Sequence, residues 1–246
     1  MDNADHLPPR VRGTAPTRVT YLVLAKAPVP GAVKTRLTPA YSEHEAAALA
    51  AAALLDTLDT VSRTTVADAG SSRQVCALAG DLDAAAAPEA VRGALDAFVV
   101  IGQRGDGLGP RLAHAHTDAA GPTGATVQIG MDTPQVTPAL LQHAATQVRR
   151  PGGPDALLGP AEDGGWWLLA LRHAADARVL AGVPMSTPDT GRLTRRALER
   201  VGLTVELAPP LLDVDDPADV ARVAAAAPGT RFAALAATLG VRLATR

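Results

Sequence analysis

The sequence predicts an α/β protein built on a mostly parallel sheet, and three observations carry that expectation. Short runs rich in Val, Leu and Ile alternate with longer Ala/Leu stretches of helical character. Strand and helix taken in turn make βαβ units, whose strands run parallel. Aromatic residues are only 2% of a 246-residue chain that is 47% hydrophobic, so Ala, Val and Leu must build the core. No internal repeat or linker breaks the alternation. The Pro/Gly patch Pro151–Pro154 reads as a surface loop, and residues 18–246 are expected to form one domain.

The elements follow in order. Val19–Leu24 is the first strand. Ser42 with Glu45 three residues later forms a capping box that opens a helix over Glu43–Val61. Gln74–Leu78 is a second strand, with Cys76 in its core. Ala97–Ile101 is a third, in which Phe98, Val99 and Val100 read as a buried run. A helix follows near Pro110–Ala119, and His114 and His116 are expected at its surface. Thr126–Gly130 is a strand that ends at Met131-Asp132. Thr137 before Pro138 is an N-cap and first turn for a helix to about Val148. Ala156–Leu158 and Trp166–Leu171 are strands flanking a Gly-rich loop. Thr187–Val201 is helical, Thr204–Leu207 and Leu211–Val214 are two short strands, and Pro217–Ala225 and Arg231–Leu239 are helices.

Bulk properties exclude several classes. A net charge of −2 lacks the basic excess of a general nucleic-acid binder. A single cysteine cannot form an internal disulfide, and no Cys-based metal spacing occurs. No stretch reaches the roughly 18 apolar residues that span a bilayer. Residues 1–17 lack the apolar centre of a signal peptide. They read as a disordered tail, and the protein as cytoplasmic. No Ser-His-Asp order or nucleophile elbow is present.

Four segments hold residue types that can do chemistry. Of 23 basic residues only Lys26 and Lys34 are lysine, and both fall in the loop Ala25–Leu37 with Arg36. No acidic residue occurs between His6 and Ser42. A strand feeding a Pro/Gly loop with three cations is a candidate grip for a polyphosphate, with Gly31 admitting backbone N–H groups. The alternative is a solvated basic loop with a chance lysine cluster. As a phosphate grip, Lys34 is expected to be a solvated lysine with little structural role, so that Lys34→Ala weakens nucleotide binding and leaves folding intact. The loop lacks Walker P-loop spacing. In I-G-M-D-T-P, Asp132 emerges where a buried strand ends, at the ligand edge of such sheets. A carboxylate there can hold Mg²⁺; the alternative is a turn-forming Asp. In G-P-A-E-D-G-G-W-W, Gly164 and Gly165 permit close approach, and strand alternation sends one of Trp166 and Trp167 to the core and the other elsewhere. In L-D-V-D-D-P-A-D, Asp213 and Asp215 are two apart on an extended segment, so they share a face. Asp216 and Asp219 belong to the start of the next helix.

Taken in order, A-K-A-P-V-P-G-A-V-K-T-R-L, Q-R-G-D-G-L-G-P-R-L, G-M-D-T-P, G-P-A-E-D-G-G-W-W-L-L-A-L and D-V-D-D-P-A-D resemble the DUF2064 group, also called selenodomain-associated transferase 1. It is part of the GT-A, nucleotide-diphospho-sugar transferase superfamily. The group is similar to phospholactate guanylyltransferase and, more distantly, to molybdenum-cofactor guanylyltransferase. The resemblance spans roughly Thr20–Ala225. It implies a three-layer α/β/α Rossmann-like fold and a nucleotide held by Ala25, Lys26, Gly31, Lys34 and Arg36. It implies that Asp132, Asp213 and Asp215 hold a divalent cation, Mg²⁺ or Mn²⁺, and that Asp213 and Asp215 also meet the acceptor. Where D-G-G-Y-Y is expected, Trp166 and Trp167 stand and can reshape an acceptor pocket formed with Gly164 and Gly165.

Two versions of transfer fit. A nucleotidyltransferase passes a nucleotidyl group from an NTP to a small phosphorylated acceptor, with Lys26, Lys34, Arg36 and the metal stabilising phosphate charge. A glycosyltransferase passes a sugar from a nucleotide-sugar, with Asp163 or Glu162 activating a hydroxyl. Three cations on one loop favour the triphosphate. The residues expected in catalysis are Lys34, Arg36, Asp132 and Asp163. A non-catalytic nucleotide-binding domain is the remaining alternative.

Overall fold

The computed structural model describes residues 18–68, 72–122 and 124–240. The expected N-terminal tail, residues 1–17, lies outside the described residues. Seven strands form one sheet in the order β3-β2-β1-β4-β6-β5-β7. They are β1 (Val19–Lys26), β2 (Ser72–Ala79), β3 (Val99–Gly102), β4 (Ala125–Ile129), β5 (Ala156–Pro160), β6 (Trp166–Leu171) and β7 (Val205–Leu207). The helices are α1 (Glu43–Ala67), α2 (Pro88–Leu95), α3 (Leu108–Ala120), α4 (Pro138–Arg149), α5 (Thr190–Arg200), α6 (Pro217–Ala226) and α7 (Arg231–Leu239). All strand pairings are parallel except those of β6, which runs antiparallel to both β4 and β5.

Alternation along the strands sorts the core into two layers. Tyr21, Val23, Val127 and Ile129 face α1 and α4 on one side. Leu22, Leu158, Leu169 and Leu171 face α3 and α5 on the other. The helices therefore sandwich the sheet. The chain order leaves the loops after β1, β4 and β5 at neighbouring strand ends. No helix among the described residues is long and apolar enough to cross a membrane.

Local signals in the sequence account for several boundaries. The Ser42 hydroxyl accepts from Glu45 N–H, and the Glu45 carboxylate accepts from Ser42 N–H at 2.8 Å. Thr137 Oγ1 accepts from Leu140 N–H, with Pro138 opening α4. Asp219 accepts the N–H groups of both Asp215 and Asp216 ahead of α6.

Other expectations are corrected. Val99 and Val100 are 53% and 48% exposed, because β3 is an edge strand paired only with β2. His116 is not at the surface. It is fully buried, its Nδ1 2.7 Å from Thr126 Oγ1. The predicted strand Leu211–Val214 is reduced to one bridge between Leu211 and Ala161. Pro209 and Pro210 offer no N–H to extend a ladder, and the Val214 N–H is taken by the Asp132 carbonyl. α5 starts at Thr190, not Thr187, because Thr187 and Thr190 hydrogen-bond each other in a preceding turn. The sequence reading places no element at α2 or at the 3₁₀ segment Ala174–Gly182.

Candidate active site

The loop after β1 crosses the carboxyl edge of the sheet and turns back at a 3₁₀ turn, Thr35–Leu37. Leu37 is fully buried against α1, α6 and α7 and pins the turn. Lys34, just before it, has φ 48 and ψ 38. A non-glycine residue in the left-handed region is uncommon and costs roughly 1–3 kcal/mol. From this position the side chain points inward, where Lys34 Nζ lies 2.6 Å from Asp132 Oδ2 and 3.0 Å from Asp215 Oδ1. The Lys34 side chain is only 12% exposed. Burial alone lowers the pKa of such an ammonium, but the charges of Asp132 and Asp215 more than offset it and hold Lys34 above its ordinary value. Lys34 is thus the internal counter-ion of the site rather than a solvated lysine.

The carboxylates arrive from two loops that are tied together. Val214 N–H donates to the Asp132 carbonyl at 3.2 Å, and the Gln135 amide donates to the Leu212 carbonyl. Asp213 is therefore fixed beside Asp132. Its Oδ1 is buried without a hydrogen-bond partner. Burial, and then the charges of Asp132, Asp163 and Asp215, push the Asp213 carboxyl up to about 7, against an opposing pull from Lys34. Arg36 adds a weaker contact, Nη1 to Asp215 Oδ2 at 3.4 Å, from a side chain that is 67% exposed.

Two cavities meet at this cluster. The smaller, about 280 Å³, is lined by Lys26, Lys34 and Arg36. The larger, about 550 Å³, is lined by Asp163, Gly165, Trp166 and Asp213. Arg36, Met131, Asp132 and Asp215 line both. The site residues expected from the sequence divide accordingly. Lys26, Lys34 and Arg36 stand on the smaller cavity. Gly165, Trp166 and Asp163 stand on the larger. Asp132 and Asp215 form the common wall.

Four expected residues reach neither cavity: Glu162, the alternative base, instead accepts from Arg222 at 2.7 Å, and the other three are Ala25, Gly31 and Gly164. Ala25 is buried in the core, and its carbonyl accepts from the Gln103 amide at 2.8 Å. Gly31 (φ +73) turns the loop against Glu43 at the start of α1. Gly164 (φ +90) has a packing role: a Cβ there would fall 1.9 Å from the Pro188 carbonyl oxygen. Its absence lets the turn before α5 close over the hairpin, and Gly191 N–H donates to the Gly164 carbonyl at 2.8 Å. Trp167 is the core-facing indole, its Nε1 donating to the Pro209 carbonyl.

The sequence reading missed several wall residues of the larger cavity. Leu108 and Leu112 of α3 and Met185–Pro188 before α5 line it, as does Gln128 of β4. The signal for Gln128 was present: an amide between Val127 and Ile129 in a strand read as buried. Among the described residues no three acidic, His or Cys side chains already stand in a metal-holding arrangement. The Lys34 ammonium occupies the space between Asp132 and Asp215 instead.

The family model described as an uncharacterized protein conserved in bacteria (DUF2064) matches residues 57–187, over half of the chain. The chain belongs to the DUF2064 family. A protein of Desulfovibrio desulfuricans G20, provisionally assigned as a nucleotide-diphospho-sugar transferase, aligns with this DUF2064 protein at a TM-score of 0.75 and 26% identity, covering 90% of this chain and 96% of that one. CMP:2-keto-3-deoxy-manno-octonic acid synthetase complexed with CTP aligns at 0.52 and 12% identity over 90% of this chain and 99% of its own. A 4-diphosphocytidyl-2C-methyl-D-erythritol synthase aligns at 0.53 and 14% identity over 84% of this chain and 96% of its own. The last two share its fold. No curated protein matches the chain by sequence.

Proposed function

We propose that this protein is a metal-dependent nucleotidyltransferase that passes a nucleotidyl group from an NTP to a small phosphorylated acceptor and releases pyrophosphate. The observation that carries the reading is the wall between the two cavities, where Lys34 lies between Asp132 and Asp215. The cationic cavity suits a phosphate chain, and the adjoining one a second substrate. An anionic oxygen of the acceptor phosphate attacks the α-phosphorus. A P–O bond forms, the bond to the bridging β-oxygen breaks, and pyrophosphate leaves with that electron pair. No proton moves, so no general base is required.

The residues supply positioning and charge. Lys26 and Lys34 hold the phosphate chain, and Arg36, at the rim of both cavities, receives the acceptor phosphate. The donor set fits a hard divalent cation. It consists of carboxylate oxygens alone, Asp213 Oδ1 is an orphaned acceptor, and the acids around Asp213 outweigh the single charge of Lys34, leaving a negative excess that a cation would offset. Asp132, Asp213 and Asp215 would hold Mg²⁺ or Mn²⁺, which when bound neutralises charge developing on the phosphates. An NTP substrate also supports the cytoplasmic location expected from the sequence.

A second reading is favoured by the nucleotide-diphospho-sugar transferase assignment of the Desulfovibrio protein. In glycosyl transfer, Asp163 on the larger cavity takes the proton of an acceptor hydroxyl. Incubation with Mg²⁺, each NTP or nucleotide-sugar and a panel of acceptors distinguishes the two. Release of pyrophosphate supports nucleotidyl transfer, and release of a nucleoside diphosphate supports glycosyl transfer. Absence of any nucleotide-induced thermal stabilisation rejects both.

A further inference from the structure

Gln128 sits in the middle of β4, paired in register with Leu22 on β1 and Leu169 on β6. Both neighbours are fully buried leucines, and Gln128 itself is 2% exposed. It nevertheless lines the larger cavity. Its Oε1 is buried with no hydrogen-bond partner. A buried amide left unpaired costs about 1–3 kcal/mol, and a leucine or methionine would fit the same sheet face without that cost. Thr126, the next residue on this face, is by contrast paired with His116. Stability therefore does not explain an amide at 128, whereas a ligand does.

The walls around Gln128 narrow the chemistry of that ligand. Leu24, Leu108, Leu112, Met185 and Trp166 supply apolar surface. Asp132, Asp163, Asp213 and Asp215 line the same cavity, and its only lining cation among the described residues is Arg36. Arg36 is largely exposed and stands beside Asp215, which puts it with the carboxylate cluster, where a phosphate is wanted. Away from Arg36 a second anionic group would meet no cation, only the neutral hydroxyls of Ser186, Thr187 and Thr190, in a cavity that four carboxylates make electronegative. An amide accepts and donates, which suits a hydroxyl, and an indole face suits the C–H surface of a sugar or polyol.

We propose that Gln128 is a specificity-determining residue of the larger cavity, and that it holds an uncharged, hydroxyl-bearing body of the acceptor, a sugar or polyol whose phosphate lies at Arg36. This rests on the nucleotidyl-transfer reading for the position of the phosphate. It excludes acceptors that carry a carboxylate in place of that neutral body.

Gln128→Met conserves length and removes the amide. Wild type and Q128M are titrated, with Mg²⁺ and a non-hydrolysable NTP present, against glucose 1-phosphate, glycerol 3-phosphate, phosphoenolpyruvate and inorganic phosphate. Quenching of Trp166, on the cavity wall, reports binding. Wild type is expected to prefer the two polyol phosphates over phosphoenolpyruvate and inorganic phosphate. Q128M should lose about tenfold in that preference, the worth of one or two hydrogen bonds, keep its NTP affinity within twofold, and melt at or above the wild-type temperature. A fall in NTP affinity matching the fall for polyol phosphates would make the cavity a base pocket and overturn the proposal. So would unchanged polyol preference, or a wild type that favours phosphoenolpyruvate. If wild type binds no nucleotide at all, the transferase reading itself fails; intact NTP binding without polyol preference counts against this inference alone.

Discussion

At the residue scale the site is governed by Lys34. Its ammonium holds together carboxylates that otherwise repel, so Lys34→Ala has two consequences. Nucleotide affinity should fall several-fold, because the phosphate chain loses a cation. The empty protein should also be destabilised. Removing one partner of a fully buried pair costs about 3–5 kcal/mol. Asp132 and Asp215 keep 29% and 31% side-chain exposure, which reduces the expected loss to about 2 kcal/mol. Urea unfolding without ligand measures it, and an unchanged midpoint would make the lysine a bystander. Asp213→Asn should act in the opposite sense on stability. It removes a buried charge crowded by Asp132, Asp163 and Asp215 while keeping the shape. We expect a gain of about 1 kcal/mol, or roughly 2–4 °C for a chain of this size, together with loss of metal-dependent nucleotide binding. Calorimetric melting with and without Mg²⁺ and NTP checks both halves. The members of this cluster were legible in the sequence because lysine is rare here, Asp132 follows a buried strand, and Asp213 and Asp215 alternate on an extended segment. The pairing of Lys34 with Asp132 and Asp215 was not, since contacts between residues about 100 and 180 positions apart depend on strand order. Gln128 was passed over because a buried strand was read for its apolar residues, and its one amide was not asked for a partner.

At the element scale the chain announces its helices through their ends. The Ser42–Glu45 box, Thr137-Pro138 and Asp216-Pro217 each fix a start with side-chain chemistry that sequence displays directly. Elements without such signals were lost or shortened. The 3₁₀ segment Ala174–Gly182 has no side-chain cap, and α2 follows an alanine with positive φ. The edge strand β3 was misjudged because an apolar run looks the same whether its faces are covered or exposed. One interaction between elements carries a further expectation. Asp56 of α1 is 6% exposed and accepts from the backbone N–H groups of Arg231 and Phe232, and from the Arg231 side chain. It therefore caps α7 from a distant part of the chain and docks it on α1. Asp56→Ala leaves two orphan donors near a helix start, where each unsatisfied group costs about 1–3 kcal/mol. We expect a loss of about 2–4 kcal/mol, with α7 amides exchanging faster than those of β1 and β4. Uniform loss of protection across the sheet would show instead that α7 is not a separable unit.

At the scale of the whole molecule, pH acts through a group that chemistry leaves untouched. His116 stands between α3 and β4, fully buried, with Nε2 unpartnered. Burial pushes its pKa down to about 3, so the folded protein keeps the ring neutral. The unfolded chain restores the ordinary value of about 6.5. At this site the unfolded state therefore binds one more proton than the folded state between about pH 6.5 and 3, and the histidine's contribution to stability falls as pH falls through that window. The contribution is fully present above about pH 6.5. Within the window the slope approaches about 1.4 kcal/mol per pH unit for one proton. Most carboxylates titrate at the acid end, but Asp213, raised to about 7, takes up a proton in the folded state across the same range and opposes the histidine. The comparison is therefore made in an Asp213→Asn background, where the upper half, about pH 6.5 to 5, isolates the histidine. Replacing the pair, His116→Leu with Thr126→Val, removes the titrating ring and the hydroxyl bonded to it together, which avoids leaving an orphan on β4. The double variant should lose most of the slope between pH 6.5 and 5 while keeping its stability near pH 8 within about 1–2 kcal/mol, the range expected for trading a buried hydrogen bond for apolar contact. Denaturant midpoints across that range test it. Parallel curves with and without the His116–Thr126 pair would place the acid sensitivity elsewhere, whereas a difference that shifts steadily in the variant's favour as pH falls from 6.5 to 5 identifies His116 as its source.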